Sequence, residues 1–420
     1  MKTNKLILFL FCLLPFSFNY AENKNSDRLY QDWFEEIKNS CDKDNGNLWG
    51  INLYAPLLCI DSERNIWSNQ ADKENNLYFD NGIYKGKFPG THNIANSITQ
   101  VFGQKWVTIM LPFPEDKIER IALACHEMFH YWQDSLHLVP SHYNYNNQHL
   151  DLLEARVLLK LEWNALFQAC ITTDSEKRNQ HIQNGISFRL YRRKKFPQYI
   201  KDETAFEIHE GLPQYTGIKL ATQTDSCYLK TLEKHLAIYM SKEELVRTFA
   251  YMSGELYGYL LDQANKKWRK NIHEDTDLGN LLKRLYPISI PDHLEIYCKQ
   301  QQTCYPIDSI NLFEQKRDSL KSIQKEELIR IFSKDTKILP LINMQIKFNP
   351  NLVIPLDNLG TVYKEIRIVD QWGILETRNN GFILISNDWK SIILPFYNQV
   401  IQNGEDLETP YWILQNKKQE

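Results

Sequence analysis

Residues 121–134 read Ile121-Ala-Leu-Ala-Cys-His-Glu-Met-Phe-His-Tyr-Trp-Gln-Asp134, and the rest of the chain is read outward from them. On an α-helix, side chains four residues apart share a face one turn apart, so His126 and His130 can aim both imidazoles at one point. That point suits a zinc ion, with Glu127 beside the same face, able to reach a water without binding the metal itself. The neighbours Ile118, Ile121, Ala122, Cys125, Phe129 and Trp132 are those of a buried helix. Two imidazoles and a carboxylate buried there without partners would be costly, which favours a metal over an amphipathic helix with incidental histidines. The expected chemistry is hydrolysis, with His126 and His130 as metal ligands and Glu127 as general base.

Glu115 and Asp116 place acids at the positive end of this helix, which should run to about Ser135 and is stopped by Pro140. Just upstream, Lys105-Trp-Val-Thr-Ile-Met-Leu111 reads as a strand ended by Pro112 and Pro114, and an extended peptide could pair with such a strand. Residues 22–115 as a whole read as a small α+β entry region. They hold a polar helix around Asp27–Lys38, strand-like segments at Trp49–Leu53 and Leu57–Ile60, and turn clusters over Asn69–Gly82.

Downstream, residues 116–290 read as mostly helical. Apolar residues at helical spacing mark Gln148–Cys170, and a basic amphipathic segment follows at Glu176–Lys195, stopped by Pro197. Its Arg192-Arg193-Lys194-Lys195 run reads as a solvated helix end. Further helices are expected at Leu229–Ala237, Lys242–Asn265 and Leu278–Leu285. Residues 291–335 form a helical linker, charged around Ser309–Lys334, and 336–420 a small β module. Its strands are expected at Met344–Phe348, Tyr363–Val369 and Phe382–Ile385, with a hairpin turn at Asn379-Asn380-Gly381. The expected fold class is therefore α+β.

The first 21 residues stand apart. Lys2 and Lys5 precede the apolar run Leu6–Phe18, too short to span a bilayer and of the length of a secretory signal core, with cleavage expected near Ala21. An exported protein, periplasmic or secreted, without a membrane span is the expectation. Removing the two lysines takes the formal charge from −3 to −5, a mildly acidic chain that gives no reason to expect a nucleic-acid partner. Among the later cysteines, Cys298 with Cys304 is the first candidate disulfide and Cys41 with Cys59 the second, while Cys125 stands alone.

A catalytic zinc takes three protein ligands and keeps one position for water. A third histidine six residues after His130 is ruled out, because Leu136 stands there and His137 is one residue out of register. A glutamate from a second helix is the alternative, and two compete: Glu154, and Glu210 in Glu210-Gly-Leu-Pro-Gln-Tyr-Thr-Gly217. His137, His142 and His149 lie in or near loops and are not expected to be ligands. Glu203 and His209 are expected to be supporting or surface groups.

Glu-Gly-Leu-x-x-Tyr after an HExxH helix resembles the gluzincin metallopeptidases, particularly the aminopeptidase-N-like and collagenase-like group. The resemblance implies a zincin-like catalytic domain, Zn2+ as cofactor, peptide or protein as substrate, and Glu210 as the third ligand. It also implies a tyrosine from a downstream helix as donor to the oxyanion, for which Tyr257 is chosen over Tyr251. The chain departs from the family at three points. Glu210 follows the helix by about 80 residues instead of the common 20 or so; Pro213 stands in a helix interior, where it should kink the chain; and Gln214 replaces a supporting acid. The alternatives to a peptidase are a non-catalytic binding or scaffold protein on the same fold, and a zinc hydrolase of a non-peptide substrate.

Overall fold

The computed structural model describes residues 23–141, 146–334, 336–349, 352–378, 381–395, 400–402 and 411–415. The expected signal segment, His142 and the Asn379-Asn380 turn lie outside them. The architecture is α+β, with a helical middle and a β module at the C-terminal end. The described residues divide into two compact units: those up to Leu138 together with Thr216–Thr224, and the remainder.

In the first unit, α1 (Asn23–Asp44) precedes a six-stranded sheet of β1 (Leu57–Ile60), β2 (Asn65–Ser68), β3 (Tyr78–Asp80), β4 (Ile83–Lys87), β5 (Ser97–Val101) and β6 (Gln104–Met110). The order is β3-β4-β2-β1-β6-β5, with β1 and β6 parallel and the other pairs antiparallel. All four residues of β1 are buried, which is why this strand reads as a continuous apolar run without alternation. Leu58, Ile60 and Trp106 join one cluster with Ile66 and Phe88, while Leu57, Cys59, Val107 and Ile109 are fully buried on the opposite face. Phe102 and Gly103, both left-handed (φ 54° and 72°), make the tight turn from β5 to β6. Since β6 is paired on both sides, the free edge expected of it belongs instead to β5. Trp49–Leu53, expected as a strand, is turn and irregular chain.

The helix that carries His126 and His130 is α2 (Lys117–Trp132), which packs on β6 and β5. Asp116 caps it, its carboxylate accepting the Ile118 and Glu119 amides at 2.8 and 3.0 Å, which satisfies two of the unpaired amides of the first turn. It ends a few residues before Ser135, where His137 turns left-handed (φ 55°) and redirects the chain.

In the second unit, α3 (Leu153–Ile171) and α4 (Ser175–Lys195) pack along their length. Next, α5 (Ile200–Phe206) runs through a π-helical turn, Glu207–Gly211, into α6 (Leu212–Thr222), whose residues from Thr216 onward count with the first unit. Helices α7 (Asp225–Met240), α8 (Phe249–Ala264), α9 (Leu278–Leu285), α10 (Leu294–Gln301) and α11 (Ile307–Phe332) follow. The helix expected from Lys242 begins only at Phe249. Arg192 and Arg193 are buried, contrary to the solvated helix end expected; Lys194 and Lys195 alone are exposed.

Among the described residues, the β module holds two five-stranded sheets. The segment Tyr363–Val369 divides between them: Thr361–Tyr363 belongs to one and Ile366–Asp370 to the other. Their facing residues, among them Tyr363, Ile368, Leu375 and Ile385, share one core, and Leu328 of α11 packs on Val362 and Leu384 of the first sheet. Neither expected disulfide is present. Cys298 is buried among Leu158, Phe188 and Tyr305 while Cys304 is exposed, and the Sγ of Cys41 lies 3.9 Å from that of Cys125. No helix among the described residues is long and apolar enough to cross a membrane.

Candidate metal centre

Helix α2 buries Arg120–Ala122 and Ala124–Phe129, so His126 and Glu127 sit in the interior and His130 is half-buried one turn further on. The His130 ring is fixed by a short relay. Gln133 donates its amide N–H to the Leu138 carbonyl at 3.0 Å, which leaves Oε1 to accept from His130 Nδ1 at 2.8 Å. In the neutral ring the proton is then on Nδ1, and Nε2 carries a lone pair. That Nε2 lies 3.2 Å from His126 Nε2. Two nitrogens bound to one tetrahedral zinc at about 2.05 Å each stand about 3.3 Å apart, so the imidazole pair already has the spacing a zinc site requires.

The candidate third donor, Glu210, lies in the π-turn that leads into α6. Within the first unit, Gly217 lies directly against the Ala122 carbonyl, to which a Cβ would come within 2.3 Å, and Trp49 donates its indole N–H to Thr216 Oγ1 at 3.0 Å while its ring meets Phe129. His126 and His130 follow Ala122 by about one and two turns, and Glu210 precedes Gly217 by about two. His126, His130 and Glu210 each offer one ligand atom, and these atoms lie within 4.8 Å of one another. Two imidazoles and a carboxylate are a donor set that fits zinc.

Glu154, the competing glutamate, stands in the first turn of α3 with its side chain 53% exposed and paired to Lys195 at 2.7 Å. It is not in the donor group. His137 is exposed, and His209 Nε2 lies 3.6 Å from Glu210 Oε1.

The kink expected at Pro213 is absorbed by the π-turn. Leu212 donates its amide to the Glu207 carbonyl, five residues back, so the register has already shifted by one residue where the proline's missing N–H falls. Gln214 donates to Glu255 Oε1 of α8 at 2.8 Å, and Glu255 also meets His235 Nδ1 at 2.8 Å. Close approach makes this possible, since Gly254 sits against the Gly211 carbonyl, where a Cβ would come within 2.0 Å.

Tyr257 is placed elsewhere. It is fully buried in the second unit, its hydroxyl donating to Glu162 Oε1 at 2.7 Å with the Arg189 guanidinium over its ring. Burial and the adjacent Glu162 push its phenol well up, and the hydroxyl is engaged in this internal ion network. Tyr251 lies half-buried on the same helix.

That network is the feature the sequence concealed. Arg189 meets both oxygens of Glu207 at 2.7 and 2.6 Å; Arg192 and Arg193 donate to Glu203 at 3.0 and 2.8 Å; His149 Nε2 lies 2.7 Å from the same carboxylate. Burial pushes Glu203 up, but the Arg192 and Arg193 guanidiniums hold it well below the usual carboxylate range. Three arginines at i, i+3 and i+4 on α4 share one face, and that spacing was the one local trace of the network.

Compared with family models, with curated proteins and with solved structures, the chain matches none.

Proposed function

We propose that the chain is an exported zinc metallopeptidase of gluzincin type, acting on peptide or protein substrates. The observation that carries the reading is the convergence of one ligand atom each from His126, His130 and Glu210. Zinc, when held there, would polarise the scissile carbonyl and make the attacking water more acidic. His130 presents its Nε2 lone pair because Gln133 holds the opposite nitrogen's proton, and His126 Nε2 stands 3.2 Å from it. Glu127 follows His126 directly and is not one of the three donors; it takes the proton of the attacking water and delivers it to the departing amide nitrogen.

Mature protein purified from an oxidising compartment should carry close to one zinc per chain. Glu127→Gln should keep the metal and lose hydrolysis of a peptide library, Glu210→Ala should lose metal, and Glu154→Ala should keep it. Wild type without zinc overturns the reading. Zinc with no chelator-sensitive cleavage of any peptide leaves the site a binding centre or a hydrolase of another substrate class, and removes the peptidase.

A further inference from the structure

In an uninterrupted α-helix, Glu203, Glu207 and Glu210 stand at i, i+4 and i+7 and share one face. In this protein they do not share a fate. Glu203 and Glu207 are buried against the arginines of α4, whereas Glu210 joins the two histidines. What separates them is the π-turn Glu207–Gly211, which begins at the last clamped carboxylate. A π-turn closes from i to i+5 and carries one extra residue, an offset of about 100° from the α-helical register across the whole turn, roughly half of which has accumulated by Glu210, three residues into it. Glu210 is thereby turned off the face that Glu203 and Glu207 occupy.

The clamp is costly to bury. Arg189, Arg192, Glu162, Glu203 and Glu207 are each at most 1% exposed, and such pairs seldom stabilise a fold more than apolar packing of the same volume. Their geometry fixes orientation instead. Arg189 holds Glu207 through two parallel hydrogen bonds and also donates to Glu162 of α3 at 3.2 Å, so the start of the π-turn is referred to two helices at once. Arg193 donates to Thr204 at 3.1 Å and pairs with Asp277, which caps α9.

We propose that Arg189, Arg192 and Arg193 are positioning residues for the metal centre: by clamping Glu203 and Glu207 they hold the π-turn in place before any metal arrives and so aim Glu210. The proposal rests on Glu210 being a zinc ligand. It predicts that in metal-free wild type the amides of 207–212 exchange hydrogen as slowly as those in the middle of α4, and that zinc slows them little further. Rapid exchange in the metal-free protein, cured by zinc, would mean that the metal orders the turn, and would overturn the clamp.

The second arm is the charge-neutral double variant Arg189→Met with Glu207→Gln, which leaves no unpaired buried charge. Chelator competition should show zinc binding about 10- to 100-fold weaker, with a melting temperature near that of wild type. A folded double variant with wild-type zinc affinity overturns the proposal; should it not fold, the exchange measurement decides. A wild type that binds no zinc refutes the metal reading, and its exchange pattern still reports separately on the clamp.

Discussion

Replacing Gly217 by alanine tests how α2, which carries His126 and His130, is held to α6. The added Cβ would stand 2.3 Å from the Ala122 carbonyl oxygen and 3.1 Å from its carbon, against an ordinary contact of about 3.4 Å or more. The obstacle is backbone, so no side chain can rotate away, and α6 must move from α2 by about 1 Å. Overpacking of this kind costs about 1–3 kcal/mol, which a domain of ordinary stability survives. It should appear as a fall in Tm of about 3–10 °C. The effect on metal should be larger in proportion, because ligand distances tolerate only about 0.2 Å while Glu210 lies on the same continuous helix about two turns away. Zinc affinity measured by chelator competition should therefore fall by at least about 10-fold. Gly90→Ala is the control, since nothing lies within 4 Å of a Cβ there. A Gly217→Ala protein that melts and binds zinc like wild type would show that this contact does not set the spacing of the two helices.

Gln133→Leu removes the acceptor that fixes the His130 ring and should weaken zinc binding about 10- to 100-fold in the same competition assay, while Glu154→Ala leaves it unchanged. Burial raises Asp277, but Arg189, Arg193 and the Asn280 amide hold it far below the usual range, and Glu203 is depressed likewise. Their stabilisation is present above the unfolded carboxylate pKa of about 4 and is lost as pH falls through the folded values. Urea midpoints should thus fall steeply below about pH 4, and Asp277→Asn should flatten that limb; an unchanged acid limb refutes the assignment. The Cys41 contact and burial push the Cys125 thiol up, and burial does the same to Cys59 and Cys170. Peptide mapping after brief alkylation of native protein should find Cys304 modified first and these three only after denaturation.

The His126–His130 helix was legible because its information is local: histidine spacing, helix period and apolar neighbours all fall within one heptad or two. Leu57–Ile60 and the Lys105–Leu111 segment were legible for the same reason, being strands buried on both faces. β2 to β5 were hidden because they are short, polar or half-exposed, and only pairing with β1 and β6 makes them strands. The arginine network was hidden for a different reason. Arg192 looks solvated until Glu162 and Glu203, 30 and 11 residues away, are brought beside it. Pro213 likewise argued against a continuous helix, because a sequence pattern at period 3.6 cannot announce the one turn that departs from it.

Gln133 faces two ways. Its side chain joins His130 to the Leu138 carbonyl, while its own carbonyl accepts the Leu138 amide at 3.1 Å, so a donor nitrogen and the chain's exit from α2 are clasped together. Whatever tightens one end must tighten the other. On the proposed zinc reading, occupancy of the centre and closure of the 134–138 turn would be linked equilibria, since an ion that binds only the folded state adds stability in proportion to the logarithm of its concentration over Kd. A protease cutting after Leu136 would become a reporter of metal, slowed by ions that never touch the scissile bond.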